Sequence, residues 1–182
     1  MPGVHRSNHD TQVNDALVND ALFVAENAVI VGDVVLEKGV NVWYGAVIRG
    51  DLNSIRIGWG SNVQENAALH VERGCGVVIG SNVSIGHGAI VHGCTVGNNV
   101  IVGMGALLLN GAVIQENSIV GAGCVVREET TIPPRSLVVG VPGRVVRRLS
   151  DKEVDSIVKN AAEYRKLAEE HRRWKRIDGS DG

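Results

Sequence analysis

The chain has 182 residues, 44% of them hydrophobic, and a formal net charge of −2. That balance gives no basic face for nucleic acid or an anionic membrane, and no stretch approaches the length of a membrane span. Three cysteines, Cys75, Cys94 and Cys124, cannot all pair within one chain, so a reduced, cytoplasmic setting is expected.

Residues 1–14 read as a flexible polar leader carrying His5 and His9, without an apolar core of the secretory kind. Residues 15–148 read as one domain. Aromatics are 3% of the chain, whereas Val occurs 31 times and Gly 23 times. The core must therefore be aliphatic and β-branched, with extended backbone broken by many tight turns.

A six-residue period organises this domain. Val24, Ile30, Leu36, Val42 and Ile48 are all aliphatic. Resuming at position 78, every sixth residue through Val138 is aliphatic except Ser84. The residues two before each in this second run are never large, from Gly76 and Asn82 through Ala106 and Cys124 to Ser136. A large and a small position recurring every six residues fit neither a helical nor a simple alternating pattern. They fit short strands joined by tight corners, three faces to a coil, with coils stacked roughly 4.8 Å apart into a prism.

The phase slips twice. Ile57, Val63 and Leu69 continue the aliphatic series, but the steps from Ile48 to Ile57 and from Leu69 to Val78 are each nine residues. Two three-residue insertions are thus expected around residues 62–70, and irregularity within a consistent pattern marks functional positions.

Residues 149–175 predict an amphipathic helix of about six turns. Ser150 and Glu153 form a capping box. Val154, Ile157, Val158, Ala161, Tyr164, Leu167, Ala168 and His171 recur at helical spacing. Residues 176–182 are a polar tail.

Three further histidines lie on the prism. Leu69 and Ile90 are 21 residues apart, one coil plus an insertion, so His70 and His92 share a face on adjacent coils. His87 lies near the corner that ends the preceding face, directed around the edge. Three neutral imidazoles with one open position suit a catalytic zinc ion, whose bound water acquires a pKa of about 7.

Three segments carry a resemblance: Arg49-Gly50-Asp51; Asn62-Val63-Gln64-Glu65-Asn66 with His70 after it; and Gly86-His87-Gly88-Ala89-Ile90-Val91-His92-Gly93-Cys94. With Gly140-Val141-Pro142-Gly143 and Asn160-Ala161-Ala162-Glu163-Tyr164 downstream, they resemble the γ-class carbonic anhydrases, in their short form within the hexapeptide-repeat family. The resemblance covers residues 15–172. It implies an all-β fold, a left-handed parallel β-helix of hexapeptide repeats with a C-terminal α-helix, assembled as a homotrimer. It implies zinc, with Fe2+ or Co2+ as alternatives, held by His70 and His92 of one subunit and His87 of the next. It implies carbon dioxide and bicarbonate as substrate and product.

Gln64 would orient water or substrate, and Arg49 and Asp51 would pair at the interface. Tyr164 would reach the site or pack in the core, and Asn62 would be a turn residue or a supporting donor. Cys94 and Cys124 read as packing residues. The chain departs from the family's pattern in its acidic residues. Leu52 follows Asp51, Arg73 stands three after His70, and Glu65 is a weak substitute, so slow or buffer-dependent proton removal is expected. Two alternatives share the scaffold: a hexapeptide acyltransferase or thioesterase, and a catalytically weak metal-binding assembly protein.

Overall fold

The computed structural model describes residues 20–174, so the expected leader and tail, with His5 and His9, lie outside the described residues. The period-six segment is a parallel β-helix of three faces. Strands Phe23–Val24, Asn41–Val42, Asn62–Val63, Ser84–Ile85, Ile101–Val102, Ile119–Val120 and Ser136–Val139 stack as the first face, closed by the antiparallel strand Arg144–Arg148. The second and third faces are joined where Val29–Leu36 and Val47–Ile57 each run around one corner.

The core is three aliphatic columns, one per face. Val42, Val63, Ile85, Val102, Val120 and Val138 are register partners on the first face. Ile48, Leu69, Val91, Leu108 and Val126 form the second column. Ile57, Ile79, Val96, Ile114 and Ile132 form the third. Every one of these side chains is at most 3% exposed. Each coil therefore buries on its neighbour an apolar surface that it could not bury alone.

These registers correct the expected phase between 76 and 90. Val78 and Ile90 are 49% and 41% exposed, and the interior residues are Ile79, Ile85 and Val91, with Val77, Val83 and Ala89 as their small partners. The insertion after Leu69 is thus four residues, and the corner after Val91 is one residue short, Gly93 turning there with φ +53°. The difference has a plain cause. Val77, Val78 and Ile79 are all aliphatic, as are Ile90 and Val91, so counting back from the regular run carries its phase through the short corner. Ser84, the one misfit, marks the slip: it points outward and its neighbour Ile85 fills the core.

The terminal helix Asp151–His171 starts at the expected capping box, with Glu153 N–H bonded to Ser150 Oγ and Ser150 N–H bonded to Glu153 Oε2. Its buried stripe is narrower than expected. Ile157, Ala161 and Ala168 are buried, whereas Val158 and Leu167 are exposed. The helix lies along the first face. Arg165 donates to Gly60 O and Asn82 Oδ1 and sits 4.5 Å over the Trp59 ring. All six aromatic residues follow this seam: Trp43 packs on Phe23, Tyr164 and His171, Tyr44 lies beside Phe23, and His171 meets Trp174. The scarce aromatic area thus fastens helix to prism, while the prism interior is aliphatic.

Candidate functional site

Arg49, His70 and His92 are register partners on three successive coils, at the end of the second face. The inserted residues after Arg49 bring Asp51 back beside them. Arg49 pairs with Asp51, and His70 Nε2 lies 3.1 Å from Asp51 Oδ1. Gly32 makes this corner possible. A Cβ there would lie 2.2 Å from the Gly50 carbonyl oxygen, and its φ is +85°.

For neutral rings, the hydrogen-bond partners set the tautomers. A carboxylate only accepts, so His70 carries its proton on Nε2, towards Asp51. His92 Nδ1 lies 2.6 Å from Asn110 Oδ1, another acceptor, so His92 carries its proton on Nδ1. The two remaining nitrogens, His70 Nδ1 and His92 Nε2, then hold lone pairs and face each other at 3.0 Å. Facing lone pairs repel unless a proton or a cation lies between them. Two imidazole nitrogens on one tetrahedral ion at about 2.0–2.1 Å would stand roughly 3.3 Å apart. The pair therefore fits a shared metal, each ring oriented by an outer partner in the manner usual for metal-binding histidines.

Burial raises the Asp51 carboxyl, but hydrogen bonds from Arg49 and His70 outweigh it and hold the group below its ordinary value. Asp51 thus stays ionised and keeps the His70 proton on the outer nitrogen. Among the described residues, no group of three His, Cys, Asp or Glu side chains converges as metal ligands within the protomer.

His87 lies at the other corner of the second face, directly above Glu65 of the coil beneath, whose backbone carbonyl accepts from Gly88 N–H. Its Nδ1 approaches Glu65 Oε2 at 2.6 Å, off the line of a hydrogen bond. That buried oxygen has no hydrogen-bond partner among the described residues. With Nδ1 turned to the carboxylate, Nε2 is the nitrogen left to point away.

Beside His87 runs a groove of about 360 Å³, lined by Gln64, Ser84, Asn160, Tyr164 and the apolar Ile101, Met104 and Ile119. The structure brings Gln64, His87 and Tyr164 together here, and places His70, His92, Arg49 and Asp51 around the corner. Tyr164 both packs on Trp43 and lines the groove. Burial, and then the Glu65 charge, push its hydroxyl above its ordinary value. Asn62 is a fully buried strand residue rather than a turn. Cys94 and Cys124 are buried in the core, and burial pushes the Cys94 thiol up to about 12.

Residues 76–110 and 93–128 match the family model described as bacterial transferase hexapeptide (six repeats). A probable carbonic anhydrase of Methanocaldococcus jannaschii is 50% identical over 84% of this chain and 96% of its own length. The chain belongs to the γ-carbonic anhydrase-like hexapeptide-repeat family. Gamma carbonic anhydrase 2, mitochondrial, of Arabidopsis thaliana is 41% identical over 92% of this chain, which spans only 64% of that relative's length. A hexapeptide transferase family protein from Anaplasma phagocytophilum has a crystal structure that superposes with a TM-score of 0.80 at 38% identity, over 84% of this chain and 89% of that one.

Sequence reasoning misses several residues of this site. Asn110, one coil above His92, gives no signal, because an Asn at a corner reads as turn chemistry. Glu65 reads as a candidate for proton transfer and not as the partner of His87. Ser84 does carry a signal, as the polar exception in an aliphatic run.

Proposed function

We propose that this protein is a carbonate dehydratase, hydrating carbon dioxide reversibly to bicarbonate at metal sites between the subunits of a homotrimer. The observation that carries the reading is the facing pair His70 Nδ1 and His92 Nε2, 3.0 Å apart, each ring held by a partner on its outer nitrogen. His87 would complete the ligand set from the neighbouring subunit, consistent with the lack of a third converging ligand among the described residues of the protomer. Zinc is the proposed ion, with Fe2+ or Co2+ as alternatives. Such an ion supplies Lewis acidity, which for zinc brings the pKa of water at the site to about 7.

The remaining roles belong to the chain's own residues. Asp51 and Asn110 hold His70 and His92 in the ligating tautomer, and the Glu65 carboxylate lies beside His87 Nδ1 and leaves Nε2 to point away. Arg49 keeps Asp51 ionised. Gln64, 6% exposed, presents its amide to the groove and orients water there. Tyr164 closes the helix side of the groove with its hydroxyl protonated.

Hydration forms one carbon–oxygen bond and releases one proton for each bicarbonate made. Glu65 is turned to His87, and Leu52 and Arg73 stand where acidic residues would take that proton. Proton removal then falls to the solvent buffer.

Stopped-flow hydration of carbon dioxide on the metal-loaded protein tests the reading. We expect a rate that rises with imidazole concentration and is lost in His92→Ala together with the metal. Bound metal without hydration at any buffer concentration would leave the weak metal-binding assembly protein as the function.

The groove supports a second reading. It is far larger than carbon dioxide, and its apolar wall of Ile101, Met104 and Ile119 would suit an acyl chain. An acyltransferase or thioesterase needs no three-histidine metal site, so a metal content unaffected by His92→Ala would favour it. The three free cysteines support a cytoplasmic setting. Among the described residues no helix is long and apolar enough to cross a membrane.

A further inference from the structure

Between Phe23 and Leu137, the outward positions of the first face divide into two groups. Asn41, Asn62 and Ser84 on the lower coils are polar, yet at most 1% exposed. Their counterparts above, Ile101 and Ile119, are apolar and line the groove. Buried polar groups persist where they are fully partnered. Asn41 uses its carbonyl oxygen on Trp43 Nε1–H at 2.8 Å and its amide on Gly39 O. Asn62 and Ser84 form a different arrangement, a single directed chain.

Gln64 Nε2–H donates to Asn62 Oδ1 at 3.1 Å, Asn62 Nδ2–H donates to Ser84 Oγ at 2.9 Å, and Ser84 Oγ–H donates to Asn160 Oδ1 at 2.8 Å. The last link joins prism to helix across 76 residues of sequence. All three bonds run in one sense. A serine hydroxyl has one proton, so giving it to Asn160 obliges Ser84 to accept from Asn62. Asn62 must then turn its carbonyl to Gln64, and Gln64 must turn its NH2 to Asn62. The polarity of the chain decides which end of the Gln64 amide faces the groove: the Oε1 acceptor, which can take a hydrogen bond from water.

We propose that Ser84 is a positioning residue, which sets the amide polarity of Gln64 and makes it depend on the docking of the terminal helix through Asn160. The proposal rests on the role of Gln64 in hydration. Without the hydroxyl, Asn62 can rotate either way, and Gln64 samples both amide orientations. The flipped orientation then presents a donor where the site calls for an acceptor.

The test uses the metal-loaded, assembled protein with Ser84→Ala, Ser84→Thr, Gln64→Ala and the double variant. We expect Ser84→Ala to lower kcat/KM about three- to tenfold, as loss of one hydrogen bond does, with metal content and oligomeric state unchanged. Ser84→Thr, which keeps the hydroxyl, should recover most of that loss. The double variant should be no slower than Gln64→Ala, since both changes remove one function. Losses that multiply, or a Ser84→Ala protein at the wild-type rate while Gln64→Ala is slow, overturn the proposal. A Gln64→Ala protein at the wild-type rate instead overturns the catalytic role of Gln64.

A readout free of turnover separates these cases. The Gln64 side-chain amide protons, identified by their absence from the Gln64→Ala spectrum, should exchange with solvent at least about tenfold faster in Ser84→Ala and at the wild-type rate in Ser84→Thr. Should Ser84→Ala fail to fold, Asn160→Leu cuts the same link from the helix side and is expected to raise the exchange rate likewise. Unchanged protection of the Gln64 amide in either variant refutes the positioning role.

Discussion

His92 gives one ring nitrogen to Asn110 and turns the other towards His70, and Asp51 does the same service for His70. These outer contacts carry as much of the site as the imidazoles do, since a free ring would populate both tautomers. Asn110→Leu, which keeps the size and removes the acceptor, should weaken metal binding by about 10- to 100-fold. Competition against a chelator of known affinity measures this, and an unchanged metal dissociation constant would remove Asn110 from the site. Backbone chemistry matters equally at Gly32. Its left-handed φ and its approach to Gly50 O leave no room for a Cβ. Gly32→Ala should therefore lower the thermal midpoint by about 5 °C or more, a left-handed alanine costing of order 1 kcal/mol even without the clash. Circular dichroism melting reads this, and a midpoint within a degree of wild type would refute it.

Among the elements, the helix Asp151–His171 is the most legible in the sequence, because its capping box is a local device. Ser150 and Glu153 meet whatever the rest of the chain does. The role of Arg147 as their partner is not legible there, since the bend that brings strand Arg144–Arg148 back to the helix start is tertiary. That hydrogen bond, with those from the Ser150 backbone and side chain, holds the Glu153 carboxyl down at about 2. A depressed carboxylate stabilises the fold above the unfolded value of about 4.3, and the contribution fades as pH falls towards 2. The gap in thermal midpoint between wild type and Glu153→Gln should accordingly be constant from pH 7 to 5, narrow below 4.5 and close near 2. A gap that persists at pH 2 would show that Glu153 acts by packing alone. The width of the helix stripe escapes the sequence for a related reason. Val158 and Leu167 fit the helical period but lie at its edge, and only the first face's shape decides how wide a stripe it covers.

For the whole molecule, the prism explains how residues 22 positions apart, His70 and His92, become neighbours. It also explains why His87, five residues before His92, does not join them. Ile90–His92 spans the second face, so its ends stand on opposite corners. Under the proposed function, a third ligand comes from a neighbouring subunit. Mixing His87→Ala chains with His70→Ala chains, each unable to bind metal alone, should restore a minority of wild-type metal and hydration, because some mixed interfaces carry both intact halves. Mixed trimers that stay empty of metal would argue against a shared site.

The aliphatic period of six, the glycine corners, the histidine spacing and the helix cap are all local or strictly repeating, and the amino-acid sequence determined them unaided. A repeat propagates one decision along the chain, so a count suffices to read it. Where the count was broken, at the corners after Leu69 and Val91, only the tertiary structure decided the register. Adjacent aliphatic residues serve equally well as the inward one until neighbouring coils choose between them. The same choice turned Ser84 out of the core and under the helix, and set Asp51 and Asn110 against the histidines. Such contacts join distant segments through corner geometry, which no periodicity encodes.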